Sequence, residues 1–361
     1  MRYSIDKKSK KSAYMQIYEQ LRRDIVGGII PYNTKLPSKR LLAEETGVSV
    51  ITVEHAYSIL KDEGYVDAKE RSGYFVIFRQ GDLMASSSDS VQEYTPHKIH
   101  TQNNGEVFPY TVLAKTMRKV MLDYSEDILV KSLNHGCLEL REAIGSYLAR
   151  SSGIIVNPKQ IIIGSGAEYL YSLIAQLFGT EGTFAIEDPS YNKIKLVYEA
   201  NGITCDMLRM GNDGIRTEEL EKTSAGILHI TPFHSFPSGI TATASKRTEY
   251  LRWAEKRDGF IIEDNYDSEL TVSMKNEDTL FSMSSDGRVI YLNTFSKTIA
   301  PSMRVGYMVL PERLLDEFES KLGFYSCTVP VFEQYVLSEL IKGGDFERHI
   351  NRIRRERRRK K

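Results

Sequence analysis

An α/β protein in two modules, a small helical head and a larger domain of strands and helices, is the architecture this sequence predicts. Residues 13 to 78 carry apolar side chains at helical spacing, ahead of any strand-like apolar run of the larger kind. Beyond them, short apolar runs end in acids or glycine turns: Ile161-Ile-Ile-Gly164, Phe260-Ile-Ile-Glu-Asp264, and Val289 to Leu292. A length of 361 residues allows one small domain and one large enough for a thick α/β core.

In the head, Tyr14, Ile17, Leu21 and Ile25 fall on one helical face, and Gly27-Gly28 follow. Ser38, in Leu36-Pro-Ser-Lys-Arg-Leu-Leu-Ala43, is placed to cap a short helix carrying Leu41 and Leu42. Gly47 makes a turn. Ser49 caps a third helix with Val53, Tyr57 and Leu60 on one face, and Gly64 ends it. Tyr65-Val-Asp67 and Gly73-Tyr-Phe-Val-Ile77 can pair as a hairpin around Lys69-Glu-Arg-Ser-Gly73. Helix, helix-turn-helix and β-wing is the outline of a winged helix over residues 1–79, its third helix placed for the major groove of DNA. Residues 80–105 are serine-rich with few apolar side chains and read as a flexible linker. The larger domain is expected over 106–361.

The chemistry of that domain centres on Thr294-Phe-Ser-Lys-Thr-Ile-Ala-Pro-Ser-Met-Arg-Val-Gly-Tyr307. Lys297 follows an apolar strand, between hydroxyls and an arginine seven residues on. That grouping suits a cofactor bearing an aldehyde and a phosphate. The amine condenses with the aldehyde, while Thr294, Ser296 and Arg304 hold the dianion. Asp264, at the C-terminal end of an apolar strand, points into the crevice where open α/β sheets bind ligands and would pair with a protonated pyridine nitrogen. Tyr266, two residues on, lies on the same side of an extended backbone and could bond the ring's phenolic oxygen. In Ile161-Ile-Ile-Gly-Ser-Gly-Ala-Glu-Tyr169 a strand, a glycine turn and a helix start make Gly166, Ala167 and Glu168 candidates to cradle the phosphate. Tyr191 could stack on the ring. Taken alone, a Ser-Lys turn, a glycine turn or a surface tyrosine would each be ordinary; their order along one chain gives them weight.

Together these residues resemble the fold-type-I pyridoxal-phosphate enzymes, the aspartate aminotransferase superfamily. Asn134-His-Gly-Cys-Leu-Glu-Leu-Arg141 looks like that family's "G…LR" segment, and Thr231-Pro-Phe-His-Ser-Phe-Pro-Ser-Gly239 like its "P-x-H-Q-F-P-T-G" variant. The resemblance implies a mixed, mostly parallel sheet flanked by helices, with Lys297 forming an internal aldimine with pyridoxal 5'-phosphate. The head is similar to the GntR family of bacterial regulators. That resemblance implies that Arg40 meets phosphate, with Ser38 beside it in the DNA-binding surface, that Ser49, Thr52 and His55 lie along the recognition helix, and that Arg71 and Gly73 sit at the wing tip. Two positions depart from the pattern: Tyr32-Asn33 stand for the usual Pro-Gly, and Val50 for the usual arginine after the recognition-helix serine.

The fusion of the two resembles the MocR type of GntR regulator. It implies a homodimer, head to tail, that binds double-stranded promoter DNA and pyridoxal phosphate and answers to an amino-acid or amine effector. The alternative is a working aminotransferase with an accessory DNA-binding module. The last segment, Phe346 to Lys361, looks like the family's helix leading into its C-terminal small domain, so most of that domain is expected to be lacking and turnover with it. The basic tail reads either as the exposed end of a helix with an unfinished apolar face or as a second nucleic-acid contact.

Composition sets outer bounds. The 48 basic and 48 acidic side chains cancel, yet residues 1 to 80 hold 14 basic against 10 acidic, a local excess that suits a phosphate partner. Cys137, Cys205 and Cys327 lack metal-ligand spacing, so no metal site is expected. There is neither a leader-like stretch nor an apolar run long enough to span a bilayer, and the expected location is the cytoplasm.

Overall fold

The computed structural model describes the chain except residues 1, 2, 7, 8, 10, 70, 71, 80–107, 181, 271–277 and 361. It divides into two units, Met1–Ile99 and His100–Lys361. The linker expected over 80–105 lies outside the described residues.

In the first unit, α1 (Ala13–Val26), α2 (Lys39–Thr46) and α3 (Val50–Asp62) precede β1 (Val66–Lys69) and β2 (Gly73–Val76). The caps are those the residue types demand. Ser38 and Ser49 each accept from the backbone three residues on, Leu41 and Thr52, at 3.2 Å. Gly47 closes α2 with φ 68, a left-handed conformation that costs glycine nothing. Ile17, Leu21, Leu42, Val53, Tyr57 and Leu60 are fully buried in one core. Each such side chain contributes roughly 1.5–3 kcal/mol, enough to fix helices this short. Of the two leucines on α2, Leu42 is in that core and Leu41 is exposed. β1 and β2 pair antiparallel from Val66↔Val76 to Lys69↔Gly73. The segment through Lys35 meets β2 by an isolated antiparallel bridge to Phe75, and Asn33 turns into it with φ 65.

The second unit begins with α4 (Tyr110–Asp123) and α5 (Leu138–Ser152). Strands and helices then alternate: β3 (Ile161–Gly164), α6 (Ala167–Phe178), β4 (Thr183–Asp188), α7 (Asn192–Ala200), β5 (Thr204–Arg209), α8 (Thr217–Lys222), β6 (Ile227–Ile230), α9 (Ala244–Lys256), β7 (Phe260–Asp264), α10 (Leu280–Met283) and β8 (Val289–Thr294). β9 (Gly306–Val309), α11 (Leu315–Leu322), α12 (Val331–Lys342) and α13 (Asp345–Lys360) complete it. The sheet order is β3-β9-β8-β7-β6-β4-β5, with only β9 antiparallel to its neighbours. Side-chain alternation sorts the strands between two cores. Ile161, Ile163, Tyr307 and Val309 pack with α5 and α12, while Ile162 and Met308 pack with α6 and α11. Both faces are covered, which is why these strands read as near-continuous apolar runs.

The "G…LR" motif has a structural role. A Cβ on Gly136 (φ 100) would lie 2.5 Å from Ile163, and Arg141 donates from Nε to the Gly136 carbonyl at 3.1 Å and from Nη1 to that of Pro158 at 2.9 Å. The C-terminal helix corrects an expectation. The apolar face of α13 is complete: Phe346, Ile350 and Ile353 are buried in the core with α5 and α12. No described helix is long and apolar enough to cross a membrane.

Candidate cofactor cleft and nucleic-acid face

The strands β3, β7 and β8 run in one direction, and their C-terminal ends meet the start of α6. There a cleft of about 290 Å³ opens, lined by Ala167, Glu168, Tyr191, Asp264, Tyr266, Thr294, Ser296, Lys297 and Arg304 among others. Nine of the residues singled out in the large domain thus share one space, from positions as far apart in sequence as 167 and 304. The tenth, Gly166, lies against Arg304: a Cβ there would come within 2.9 Å of Nη2, and its φ is 96.

Asp264 ends β7 and is 2% exposed. Its Oδ2 accepts from the Tyr171 hydroxyl, and His229 Nε2 stands 3.7 Å away, too far for a hydrogen bond. His229 is held from its other nitrogen by the Tyr198 hydroxyl at 2.7 Å. The second carboxylate oxygen, Oδ1, is buried without a hydrogen-bond partner. A buried carboxylate oxygen left bare is costly, and a protonated ring nitrogen is a group that would satisfy it. The glycine at 166, which leaves the guanidinium of Arg304 room beside the helix start, fits the phosphate of the same group. The donor set therefore suits a phosphorylated pyridine aldehyde.

The amine-bearing Lys297 is solvent-exposed rather than enclosed. It lines the cleft as an exposed residue, its Nζ 4.8 Å from the centroid of the Tyr266 ring. The Tyr266 hydroxyl donates to the His234 carbonyl at 3.2 Å. Tyr191 meets Phe236 edge to face at 6.4 Å. Ser296 donates to the Met303 carbonyl at 3.3 Å. Arg304 is engaged by the carboxylate of Glu168, whose other oxygen takes Lys193 at 2.6 Å. Nearby, Glu187 is buried with Ser235 donating to it at 2.6 Å. Burial pushes its carboxyl up to about 8 against that bond.

Sequence reasoning passed over Tyr171, Ile194 and Phe236, which also line the cleft, and His229 behind Asp264. Tyr171 lies one turn after Ala167, so its position on α6 held a signal, but an aromatic on an apolar helix face reads as core. The two readings of the basic tail also meet a third outcome. Arg354 Nε donates to the Glu269 carbonyl at 2.6 Å and Arg357 Nη1 to that of Leu270 at 3.0 Å. These arginines brace the segment after Tyr266.

On the head, Arg40 and Ser49 are exposed. The Ser49 and Thr52 hydroxyls bond each other at 2.8 Å, and the His55 ring stacks on Tyr14 at 4.1 Å. Gly73 opens β2 with φ 110. Arg71 lies outside the described residues. Val50 and Ile51, at the start of α3, are 40% and 76% exposed, so the position of the missing arginine is apolar surface.

Head and body define a two-domain class: a helix-turn-helix module joined to a fold-type-I aminotransferase-like domain. Residues 13–76 match the family "Bacterial regulatory proteins, gntR family", and residues 101–361 match "Aminotransferase class I and II". The chain belongs to the MocR-type HTH transcriptional regulators of the GntR family. It is 34% identical over 357 residues to the HTH-type transcriptional regulator YdeL of Bacillus subtilis (strain 168), covering 96% of this chain and 77% of that protein. It is 28% identical over 345 residues to the HTH-type pyridoxine biosynthesis transcriptional regulator PdxR of Corynebacterium glutamicum, with 94% and 75% covered. Among solved structures it is similar to the kynurenine aminotransferase of Pyrococcus horikoshii in complex with PMP (TM-score 0.63, 28% identity). That match covers 69% of this chain, which spans 64% of the aminotransferase.

Proposed function

We propose that the protein is a DNA-binding transcriptional regulator that holds pyridoxal 5'-phosphate in the cleft and uses it to sense an amino-acid or amine effector. One observation carries the reading: a capped helix-turn-helix head shares its chain with a cleft that gathers Lys297, Asp264, Tyr266 and Arg304. When bound, the cofactor supplies an aldehyde for amines and an electron-poor ring. This chain's residues would do the rest. Lys297 would offer the amine, Asp264 Oδ1 would hold a proton on a ring nitrogen, Tyr191 and Tyr266 would bound the ring, and Ala167, Thr294, Ser296 and Arg304 would hold the phosphate. On DNA, Arg40 takes phosphate, and Ser49, Thr52, His55, Arg71 and Gly73 face the grooves. Such a regulator acts where the chromosome is, which supports a cytoplasmic location.

A homodimer is part of this reading. Met121, Leu122, Leu129, Val130 and Leu133 expose more apolar side chain along α4 and the turn after it than a monomer needs. An effector switches DNA binding only if its affinity differs between two arrangements of the dimer.

The test has two arms. Pyridoxal phosphate should acquire the visible absorbance of a condensed amine, and Lys297→Ala should remove it; the same band in the variant refutes the lysine's role. The protein should retard its own upstream DNA with steep salt dependence, and Arg40→Ala should weaken this across sequences and reduce the salt slope by about 1. Retardation insensitive to salt sinks the regulator. Appreciable turnover in a transaminase assay across amino acids would favour the enzyme instead.

A further inference from the structure

The anion end of the cleft already contains an anion. Glu168, in the first turn of α6, sets one carboxylate oxygen against Nη2 of Arg304 and the other 2.6 Å from Nζ of Lys193. The Lys193 hydrogen bond, with Arg304 beside it, holds this carboxyl below the usual range, so it is charged at neutral pH. On its other side the guanidinium lies over Gly166, where even a methyl group would meet it. Arg304 is thus confined between bare backbone and a carboxylate of the same loop-and-helix start.

We propose that Glu168 is the affinity-setting residue of this anion site, an internal counter-anion that a phosphate group must displace from Arg304 and beside which it must then sit. The proposal rests on the reading of the cleft as a phosphate-ester site and adds how firmly that site grips. An incoming phosphate gains Arg304 only by giving up the Glu168 pair, and it remains near a like charge. Glu168 and Arg304 are both partly exposed, with side chains 28% and 51% accessible, so solvent screens the effect. Exposed pairs of this kind are worth at most about a factor of five in a binding constant. The consequence suits a sensor: a cofactor held less than maximally leaves when its free concentration falls.

The experiment titrates inorganic phosphate by calorimetry at low ionic strength into the full chain and into Glu168→Gln, Glu168→Ala and Arg304→Ala. Glu168→Gln keeps the shape and removes the charge. It should bind phosphate tighter, by up to about fivefold, with the gain shrinking as salt rises, and should keep pyridoxal phosphate longer through dialysis, followed by absorbance. Glu168→Ala covers the case of a misfolded glutamine variant, with the same sign expected. Arg304→Ala should lose phosphate binding. If Arg304→Ala weakens phosphate but neither Glu168 variant tightens it, the role of Glu168 is overturned and the cleft reading stands. If Arg304→Ala binds phosphate like the parent, the cleft reading itself fails.

Discussion

The Tyr171 hydroxyl donates to Oδ2 of Asp264, while Oδ1 of the same buried carboxylate has no partner. The carboxylate is therefore aimed by one oxygen and available by the other. A hydrogen bond to a charged group contributes about 1.5–3 kcal/mol. Tyr171→Phe should lower stability by that order, read by urea unfolding, and should shorten the retention of pyridoxal phosphate. An unchanged midpoint and unchanged retention would remove Tyr171 from the site.

Gly166 has φ 96 and ψ 176, a conformation essentially confined to glycine, and a Cβ there would press on Arg304. Gly166→Ala should cost about 1–3 kcal/mol in backbone strain and weaken phosphate binding by displacing the guanidinium. Thermal melting and phosphate titration separate the two effects.

Arg354 and Arg357 reach from α13 to the carbonyls of Glu269 and Leu270. The Glu269 carboxylate in turn accepts from Nδ2 of Asn293 at 2.6 Å, and Oδ1 of the same side chain accepts from the Thr294 backbone N–H at 2.6 Å. One helix thereby steadies two walls of the cleft. The double variant Arg354→Ala, Arg357→Ala should weaken cofactor retention while DNA retardation by cofactor-free protein persists. Retention equal to the parent's would reduce these arginines to surface charge.

Three buried carboxyls give the body a pH dependence of definite sign. Burial raises Glu187 to about 8 and Glu263 and Glu269 to about 7. Their folded values lie above the ordinary 4.5, so the folded state binds more protons between the two. Their contribution to stability is whole below the ordinary 4.5 and is lost as pH rises through about 7 to 8, each pH unit per group being worth about 1.4 kcal/mol at most. Thermal melts from pH 5 to 8.5 should show the decline, and Glu187→Gln should flatten it. A melting temperature that climbs over this range contradicts the assignment.

Much of this was legible in the sequence where local chemistry decides. Ser38 and Ser49 cap because a hydroxyl next to an orphan N–H has few alternatives, and the apolar runs at 161, 260 and 289 became strands buried on both faces. The cleft residues assembled because strand ends and a glycine turn fix where side chains emerge. What stayed hidden depends on partners distant in sequence. Tyr171 reaches Asp264 across 93 positions and Arg304 reaches Glu168 across 136. No periodicity reports such a meeting. The α13 arginines were hidden for the same reason, since a run of like charges looks the same whether it meets solvent or backbone carbonyls.

Tyr266 has one phenolic proton, and at present it latches the turn at His234. An occupant that claims the proton removes that latch and leaves the turn, which carries Phe236 of the cleft wall, to its remaining bonds, His234 N–H to Thr241 Oγ1 and Ser235 N–H to the Ile240 carbonyl among them. Faster hydrogen exchange over 231–239 on loading would register the release. What fills the chamber would then register in the wall segment beside it as one bond fewer, without any strand having to shift.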